Sequence, residues 1–222
     1  MSVPPVDPRE HVVDAAELHA AITAERLSLA DVIDTLTPDQ WRHPSLCTGW
    51  TVDTLVAHLT LTSRITPFEA VRAMIGARFD INRMIDRTAR ARAAEYPPAD
   101  LAAQYRESAT WTGRPLGTRP RDPLVDVLVH GQDLARPLHI PHAMPPDHVV
   151  PALEYAVAAS FYGASTRLAG LRLVATDADW AHGDGSEVHG PSGELLLVTT
   201  GRAAGLPGLE GPGVDELAAR LS

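Results

Sequence analysis

Apolar residues recur at intervals of three and four positions along most of the first 167 residues, which is the spacing of amphipathic helices. In the first such segment, Leu18, Ile22 and Leu29 fall on one stripe. The pattern predicts long helices over residues 11–36, 80–95, 100–111, 122–136 and 149–167.

Polar residues interrupt this apolar pattern at the positions where helices are expected to begin. Residues 37–40 (TPDQ) and 66–69 (TPFE) read as capping boxes with proline at the first helical position, and Thr51 can cap a further helix. The helix that starts after Thr51 is therefore expected to kink or restart at Thr66. Residues 1–10 are predicted to form a loose arm, and residues 43–50 a loop.

The pattern changes after residue 167. Residues 171–176 alternate as a half-buried strand does, residues 183–186 (GDGS) indicate a turn, and residues 187–189 are predicted to be a partner strand. Helices are expected over 193–200 and 214–221. We therefore predict an α+β protein with a helical bundle in residues 1–167 and a small α+β lobe in residues 168–222.

Composition excludes several classes of function. The net charge of −9 disfavours a nucleic-acid partner, and no apolar run is long enough to span a membrane. The first residues lack the features of a signal peptide, and Cys47 is the single cysteine, so we expect a cytoplasmic location. All 19 basic residues are arginine, which rules out lysine chemistry.

The helix predicted over 122–136 carries the most informative chemistry. Asp126, His130 and Asp133 lie at i, i+4 and i+7 and so share one face, between apolar neighbours. Carboxylate and imidazole at this spacing can share a divalent metal, although a solvated polar face is the equal alternative. Asp133 can orient a ligand histidine or pair with Arg136 on the same helix, and we favour the pair slightly.

Two residues outside this helix could complete a site. His58 borders the buried stripe of the helix that follows Thr51, where a lone histidine is more often a hydrogen-bonded core residue than a ligand. Beside an inward-facing Asp/His helix, a third ligand becomes the better interpretation. Local spacing brings no His or Asp next to Cys47, so we expect it to be a small hydrophobic loop residue and not a nucleophile.

Three sequence blocks, in this order, resemble the mycothiol-dependent maleylpyruvate isomerase family of the DinB-like metalloenzymes. The resemblance covers nearly the whole chain. The first block is 44–52 (PSLCTGWTV) with 57–59 (AHL), and the second is 129–134 (VHGQDL) with 136–138 (RPL). The third comprises 175–177 (ATD), Trp180, 188–191 (VHGP), 200–202 (TGR) and 209–213 (LEGPG).

The resemblance implies an up-and-down four-helix bundle of the DinB type, a sterol-carrier-like C-terminal lobe and an actinobacterial source. Its metal ligands would be His58, Asp126 and His130, with Asp126 standing where the isomerase has the longer Glu. Arg202 matches the catalytic arginine, although it could equally be a cation that offsets the dipole of the preceding helix. The metal implied is zinc, with nickel as the alternative.

The function implied is activation of a thiol, mycothiol in the family, for addition to or transfer onto a small electrophile. Two histidines and one carboxylate leave metal positions open, as catalytic sites do, so a metal-bound water and a hydrolase are also conceivable. The alternative from a different class is a non-catalytic protein that binds a lipid or small molecule, with a structural or degenerate metal site. The expected partners are a small-molecule substrate and a thiol, and the sequence leaves the oligomeric state open.

Overall fold

The computed structural model describes residues 15–113 and 117–222. The arm predicted for residues 1–10, and the first four residues of the helix predicted from residue 11, lie outside the described residues. The helices are α1 (Ala15–Asp34), α2 (Pro38–Arg42), α3 (Val52–Arg64), α4 (Pro67–Gly76), α5 (Ile81–Glu95), α6 (Pro98–Ser108), α7 (Asp122–Ala135), α8 (Pro146–Ala158), α9 (Ala164–Arg167), α10 (Ser192–Thr199) and α11 (Val214–Leu221). The strands are β1 (Leu171–Ala175), β2 (Ala181–His182) and β3 (Ser186–Gly190).

A bundle of α1, α3, α6 and α7 forms the N-terminal core. The stripe predicted on α1 is buried, and its Leu29 and Ile33 meet Leu55 of α3 and Tyr105 of α6. Full burial of each such side chain stabilises the fold by roughly 1.5–3 kcal/mol. Helix α3 also contacts α7 within this bundle.

Helix α7 lies between two cores, which explains its nearly continuous apolar sequence. Leu124 and Leu128 pack toward α8, the sheet and α10, whereas Val127 and Leu134 pack into the bundle core. Apolar residues therefore occupy two separate faces of the helix. The polar residues are confined to the remaining stripe, where they face other elements and little bulk water.

Helices α4 and α5 cover one side of the bundle, and they differ sharply in packing from α7. Both predicted capping boxes are present, at Thr37 before α2 and at Thr66 before α4. Helix α5 packs on α3, but α4 has no buried residue. Phe68, Ile75 and Phe79 instead expose most of their side-chain surface.

The C-terminal region is built on a three-stranded sheet in the order β2-β1-β3. Strand β1 pairs antiparallel with β2 and parallel with β3, so Leu173 lies opposite both His182 and Val188. Helix α10 packs on α8 and against the sheet. Helical bundle and small sheet together confirm the predicted α+β class.

Two local predictions need correction, and one short strand was missed. The helix predicted over 149–167 is broken: α8 ends at Ala158, and Gly163 adopts a φ of +66° before α9. The partner strand predicted at 187–189 is present as β3 and pairs parallel with β1, whereas the two-residue β2 between them was not predicted. Thr51 precedes α3, but its hydroxyl bonds to Asp53 and makes no side-chain cap bond to the helix.

Among the described residues, no helix is both long enough and apolar enough to cross a membrane.

Candidate metal centre

Helix α7 presents Asp126, His130 and Asp133 along its polar stripe, as the sequence spacing predicts. Asp126 and His130 are one helical turn apart, and Nε2 of His130 lies 3.5 Å from Oδ1 of Asp126. Both side chains are mostly, but not completely, enclosed. Their nitrogen and oxygen atoms are therefore available to a third group or a small ion.

Helix α3 supplies His58 from the opposite side. Its Nε2 lies 3.7 Å from the same Oδ1 of Asp126, and its ring meets that of His130 edge to face at 5.2 Å between centroids. Trp50 packs against the other side of the His58 ring at 5.4 Å. The burial of α3 on α7 thus brings together three side chains that are 72 residues apart at their extremes.

The three groups have the dimensions of a divalent metal site. One ligand atom from each residue lies within 4.8 Å of the others. Tetrahedral zinc with bonds of about 2.1 Å separates its ligands by about 3.4 Å, close to the 3.5 and 3.7 Å distances from Asp126. The side chain of Asp126 is shorter than the Glu that the resemblance would place there. Its carboxylate nevertheless lies close enough to both imidazoles to share a metal ion with them.

Asp133 fixes the orientation of His130. Its side chain is 0% exposed, and its Oδ2 lies 2.9 Å from Nδ1 of His130. A proton on Nδ1 leaves Nε2 free to act as a ligand, which is the arrangement that orients metal-binding histidines generally. The alternative pair with Arg136 is wrong, because Arg136 bonds to Glu194 and Gln132 instead.

Arg202 reaches Asp133 from the C-terminal region. Its Nη2 donates to Oδ2 of Asp133 at 2.9 Å, its Nε to Oδ1 at 3.4 Å, and its Nη1 to the carbonyl of Thr200 at 2.9 Å. The contact with Thr200 fits the interpretation of Arg202 as a cation at the end of a helix, whereas its catalytic role stays a prediction. The guanidinium contacts a carbonyl at the end of α10 and also belongs to the cluster around His130.

Cys47 also joins this cluster, which local spacing in the sequence did not indicate. Its Sγ donates to Oδ2 of Asp133 at 3.2 Å and lies 3.6 Å from Nδ1 of His130. The backbone N–H of Leu46 donates to the carbonyl of Asp133 and holds the loop on α7. The signal that could have identified Cys47 is its position two residues before the Gly49-Trp50 turn, which packs beside His58.

Electrostatics keep the two carboxylates ionised. Burial alone raises the pKa of Asp126, but the neighbouring rings of His58 and His130 outweigh it and lower that pKa below its usual value. Burial likewise opposes ionisation of Asp133, yet His130 and Arg202 hold the pKa of its carboxyl well below the ordinary range. Without a metal, burial disfavours charge on His130, but Asp133, Cys47 and Asp126 raise its pKa to about 10.

The cluster lies at the floor of a cavity of about 1010 Å³. Its polar floor includes Cys47, His58, Asp126, His130 and Arg202. Apolar side chains from α3, α5 and the segment after α8 form much of the wall: Leu61, Ile65, Ile81, Met84, Ile85 and Phe161. A small molecule with one polar, reactive end fits this division.

A second set of potential ligands is Cys47, His130 and Asp133. Asp133 does not line the cavity, and its carboxylate already accepts bonds from His130, Cys47 and Arg202. A metal there would displace the guanidinium and leave it buried without a counter-charge. The set of His58, Asp126 and His130 is the better candidate because all three face the cavity.

This chain is similar to known proteins in sequence over part of its length and in fold over most of it. Residues 22–123 match the sequence profile of the family described as Mycothiol maleylpyruvate isomerase N-terminal domain. The crystal structure of the mycothiol-dependent maleylpyruvate isomerase is similar, with a TM-score of 0.61 and 14% identity over 91% of this chain and 94% of that one. A histidine-to-alanine mutant of that isomerase matches with the same TM-score and coverage at 13% identity. No curated protein matches this chain.

At these identities, the likeness to the two solved structures shows a shared fold and nothing finer. The family profile adds the sequence relationship for the segment that contains α3 and His58. Helix α7, the sheet and Arg202 lie almost entirely beyond that segment, and the fold comparison covers them. Residues 22–123 of this chain therefore match the mycothiol maleylpyruvate isomerase N-terminal domain in sequence, and the chain shares the isomerase fold over nearly its whole length.

Proposed function

We propose that this protein is a metal-dependent enzyme that activates a low-molecular-weight thiol for addition to, or transfer onto, a small electrophile. The observation that carries the proposal is the meeting of His58, Asp126 and His130 at the floor of a cavity whose walls are largely apolar. The thiol proposed is mycothiol, because the family and the similar crystal structures are named for it.

In this proposal His58, Asp126 and His130 hold a divalent metal, zinc or alternatively nickel. Such an ion supplies the positive charge that favours a thiolate over a thiol at neutral pH. Two neutral imidazoles and one carboxylate leave the site with a net positive charge, which suits an anionic sulfur. The set also has fewer than four protein ligands, as catalytic sites do and closed structural sites do not.

The chain's own residues prepare this site. Asp133 keeps the proton of His130 on Nδ1, and Arg202 neutralises Asp133 so that the carboxylate stays ionised in the interior. Trp50 limits the movement of the His58 ring, and its own N–H is held by Asp86 at 2.8 Å. The apolar wall lowers the dielectric around the floor and strengthens each charge there.

We further propose that residues 1–167 and 168–222 act as two parts of one enzyme. The second part contributes Arg202 to the floor of the cavity formed by the first. Leu171 and Leu173 of the sheet share a hydrophobic core with Leu128 of α7. The C-terminal part is thus expected to be required for a correctly formed site.

Metal analysis tests the proposal first. We expect about one equivalent of zinc or nickel in the purified protein, a large loss in His58→Ala and His130→Ala, and no change in His19→Ala. His19 is the matched control because it is an exposed histidine on α1. Normal metal content in both cavity variants would contradict the assignment of the site.

Ligand specificity tests the second part of the proposal, the activation of a thiol. Metal-loaded protein should be stabilised against heat by mycothiol more than by an analogue in which a hydroxyl replaces the thiol, since only the thiol becomes a strongly held anion. The same preference should vanish in His58→Ala. A response to fatty acids with no response to thiols would instead favour a lipid-binding protein.

A further inference from the structure

Two arginines that line the cavity, Arg202 and Arg26, differ in whether a carboxylate lies close enough to balance their charge. Arg202 places two guanidinium nitrogens against the buried carboxylate of Asp133 and a third against the carbonyl of Thr200. Its charge is thus neutralised in place by an opposite charge at 2.9 Å. Arg202 has little capacity left to hold an anion that arrives from the cavity.

Arg26 of α1 is in the opposite situation. It lines the same cavity and is only 5% exposed, yet its Nη1 donates to a neutral group, the carbonyl of Trp111, at 2.9 Å. Among the described residues, no carboxylate lies within 4.0 Å of its guanidinium. Asp126 influences its charge only from a greater distance.

An enclosed guanidinium without a counter-ion is unfavourable by several kcal/mol. An anion from outside would balance such a group, and a carboxylate matches the planar donor edge of arginine well. Asp126, which acts on the charge of Arg26 from farther away, belongs to the proposed metal ligands and would be neutralised by a bound ion. Arg119 also lines the cavity, but it is exposed, so water screens its charge.

We propose that Arg26 is the residue that binds a carboxylate of the molecule entering this cavity, and that Arg202 is a positioning residue that acts through Asp133. The second half departs from the role that the sequence resemblance implies for Arg202. Assigning the carboxylate to the electrophilic substrate rests on the proposed function. Binding of a carboxylate at Arg26 does not, because it requires neither a metal nor a thiol.

The competing explanation is that Arg26 is purely structural. Its bond to the Trp111 carbonyl ties α1 to the segment after α6, and that contact alone could justify a buried arginine. The two explanations differ in a measurable way. A structural arginine changes stability when it is replaced but leaves the affinity for small carboxylates unaltered.

Isothermal titration of the metal-free full-length protein with succinate tests the proposal, with uncharged succinamide as the reference ligand. We expect succinate to bind more tightly than succinamide, and Arg26→Gln to weaken succinate binding about 10- to 100-fold, as expected for loss of charged hydrogen bonds. Arg92→Gln is the control, because Arg92 is a half-buried guanidinium that bonds Thr60 and Gln104 and does not line the cavity.

Arg202→Gln separates the two roles. It should weaken succinate binding less than Arg26→Gln does, yet weaken metal binding more, because it acts on His130 through Asp133. The reverse order in the two assays would overturn the proposal, as would unchanged succinate affinity in a folded Arg26→Gln variant. If Arg26→Gln does not fold, a crystal structure of the wild type with succinate decides: a carboxylate on Arg202 and away from Arg26 overturns it.

The measurements distinguish a failure of the role proposed for Arg26 from a failure of the proposed function. Metal-free protein that ignores succinate, but loads zinc through His58 and responds to a thiol, would refute the role of Arg26 alone. Protein that binds succinate through Arg26 but takes up no metal would refute the proposed function and leave the anion site intact.

Discussion

The cavity floor and helix α4 are built by opposite means. Beneath the floor, Asp133 is fully buried and accepts bonds from three side chains of three separate segments. In contrast, Phe68 of α4 and Phe79 after it are 78% and 77% exposed, and α4 buries no residue. The positions of the polar groups at the floor are thus fixed by many simultaneous contacts, whereas α4 is fixed by few.

This contrast indicates a division of roles. Several polar contacts to the same side chain fix its position within small tolerances, as a catalytic site requires. A weakly packed helix such as α4 can change sequence or position at little cost in stability. The cavity floor and α4 are therefore expected to respond very differently to substitution.

The strongest test of the floor is Asp133→Asn. The amide keeps the shape but removes the charge, which leaves Arg202 buried without its counter-ion. We expect the free energy of unfolding to fall by about 3 kcal/mol and metal affinity to fall about 10- to 100-fold. Urea denaturation of metal-free protein and a chelator competition measure the two effects.

Asp39→Asn is the matched control for this substitution. Asp39 also pairs with an arginine, Arg42, but at the surface, where such a pair contributes at most about 1 kcal/mol. Equal and small losses in both variants would show that the floor is no more tightly determined than an exposed ion pair.

Part of this floor could be predicted from the sequence, and the reason is local. Asp126, His130 and Asp133 lie on one helix, so the helical repeat alone puts them on one face. Cys47 is 86 residues from Asp133 in the chain, and no periodicity relates a loop to a helix that it contacts through folding. The same limit hid the bond from Arg202, although the family resemblance identified the residue.

The fold shows the same limit. Capping boxes and apolar stripes predicted most helices because their signals lie within one or two turns. The break between α8 and α9 depends on Gly163, whose left-handed φ is allowed but not required by its sequence context. Strand β2 has only two residues, too short for an alternating pattern to be recognised.

The pH dependence of metal binding is the next test of the contacts at the cavity floor. Because the contacts at the floor raise the pKa of His130 to about 10, a proton competes with the metal throughout pH 6–8. The pKa of Asp126 is lowered, so its carboxylate takes no proton in this window. We expect affinity to rise about tenfold per pH unit, measured by chelator competition.

Asp133→Asn should flatten this dependence above pH 7, because the His130 pKa returns toward its ordinary value of about 6.5. A slope that is flat in the wild type, or identical in the variant, would mean that Asp133 does not control the proton on His130.

A pair of glycine substitutions compares the two regions at the level of packing. A Cβ on Gly131 of α7 would lie 2.8 Å from Nε2 of His142, whereas one on Gly76 at the end of α4 would meet nothing within 4 Å. Gly131→Ala should therefore be destabilising by about 1–2 kcal/mol in spite of the better helix propensity of alanine. Gly76→Ala should be neutral or stabilising by up to about 1 kcal/mol. Thermal unfolding of both variants measures this, and equal shifts would refute the packing difference.

The smallest effect is expected on the exposed surface of α4. Phe68→Ser and Ile75→Ser each remove an exposed apolar side chain, so we expect changes in unfolding free energy within about 0.5 kcal/mol. Leu55→Ala, in the fully buried core behind His58, should cost about 2–5 kcal/mol in the same urea experiment. A loss above about 1 kcal/mol for either surface variant would show that α4 has a packing partner in solution.

The stripe on α7 has a consequence for design. Both nitrogens of the His130 ring face a carboxylate from the same helix, Asp126 toward the cavity and Asp133 away from it. The pattern D-x3-H-x2-D therefore carries an oriented ligand pair within two helical turns, independent of any loop. Grafted onto another bundle, it would need only one histidine from a facing helix and one cation behind the second aspartate to rebuild this constellation.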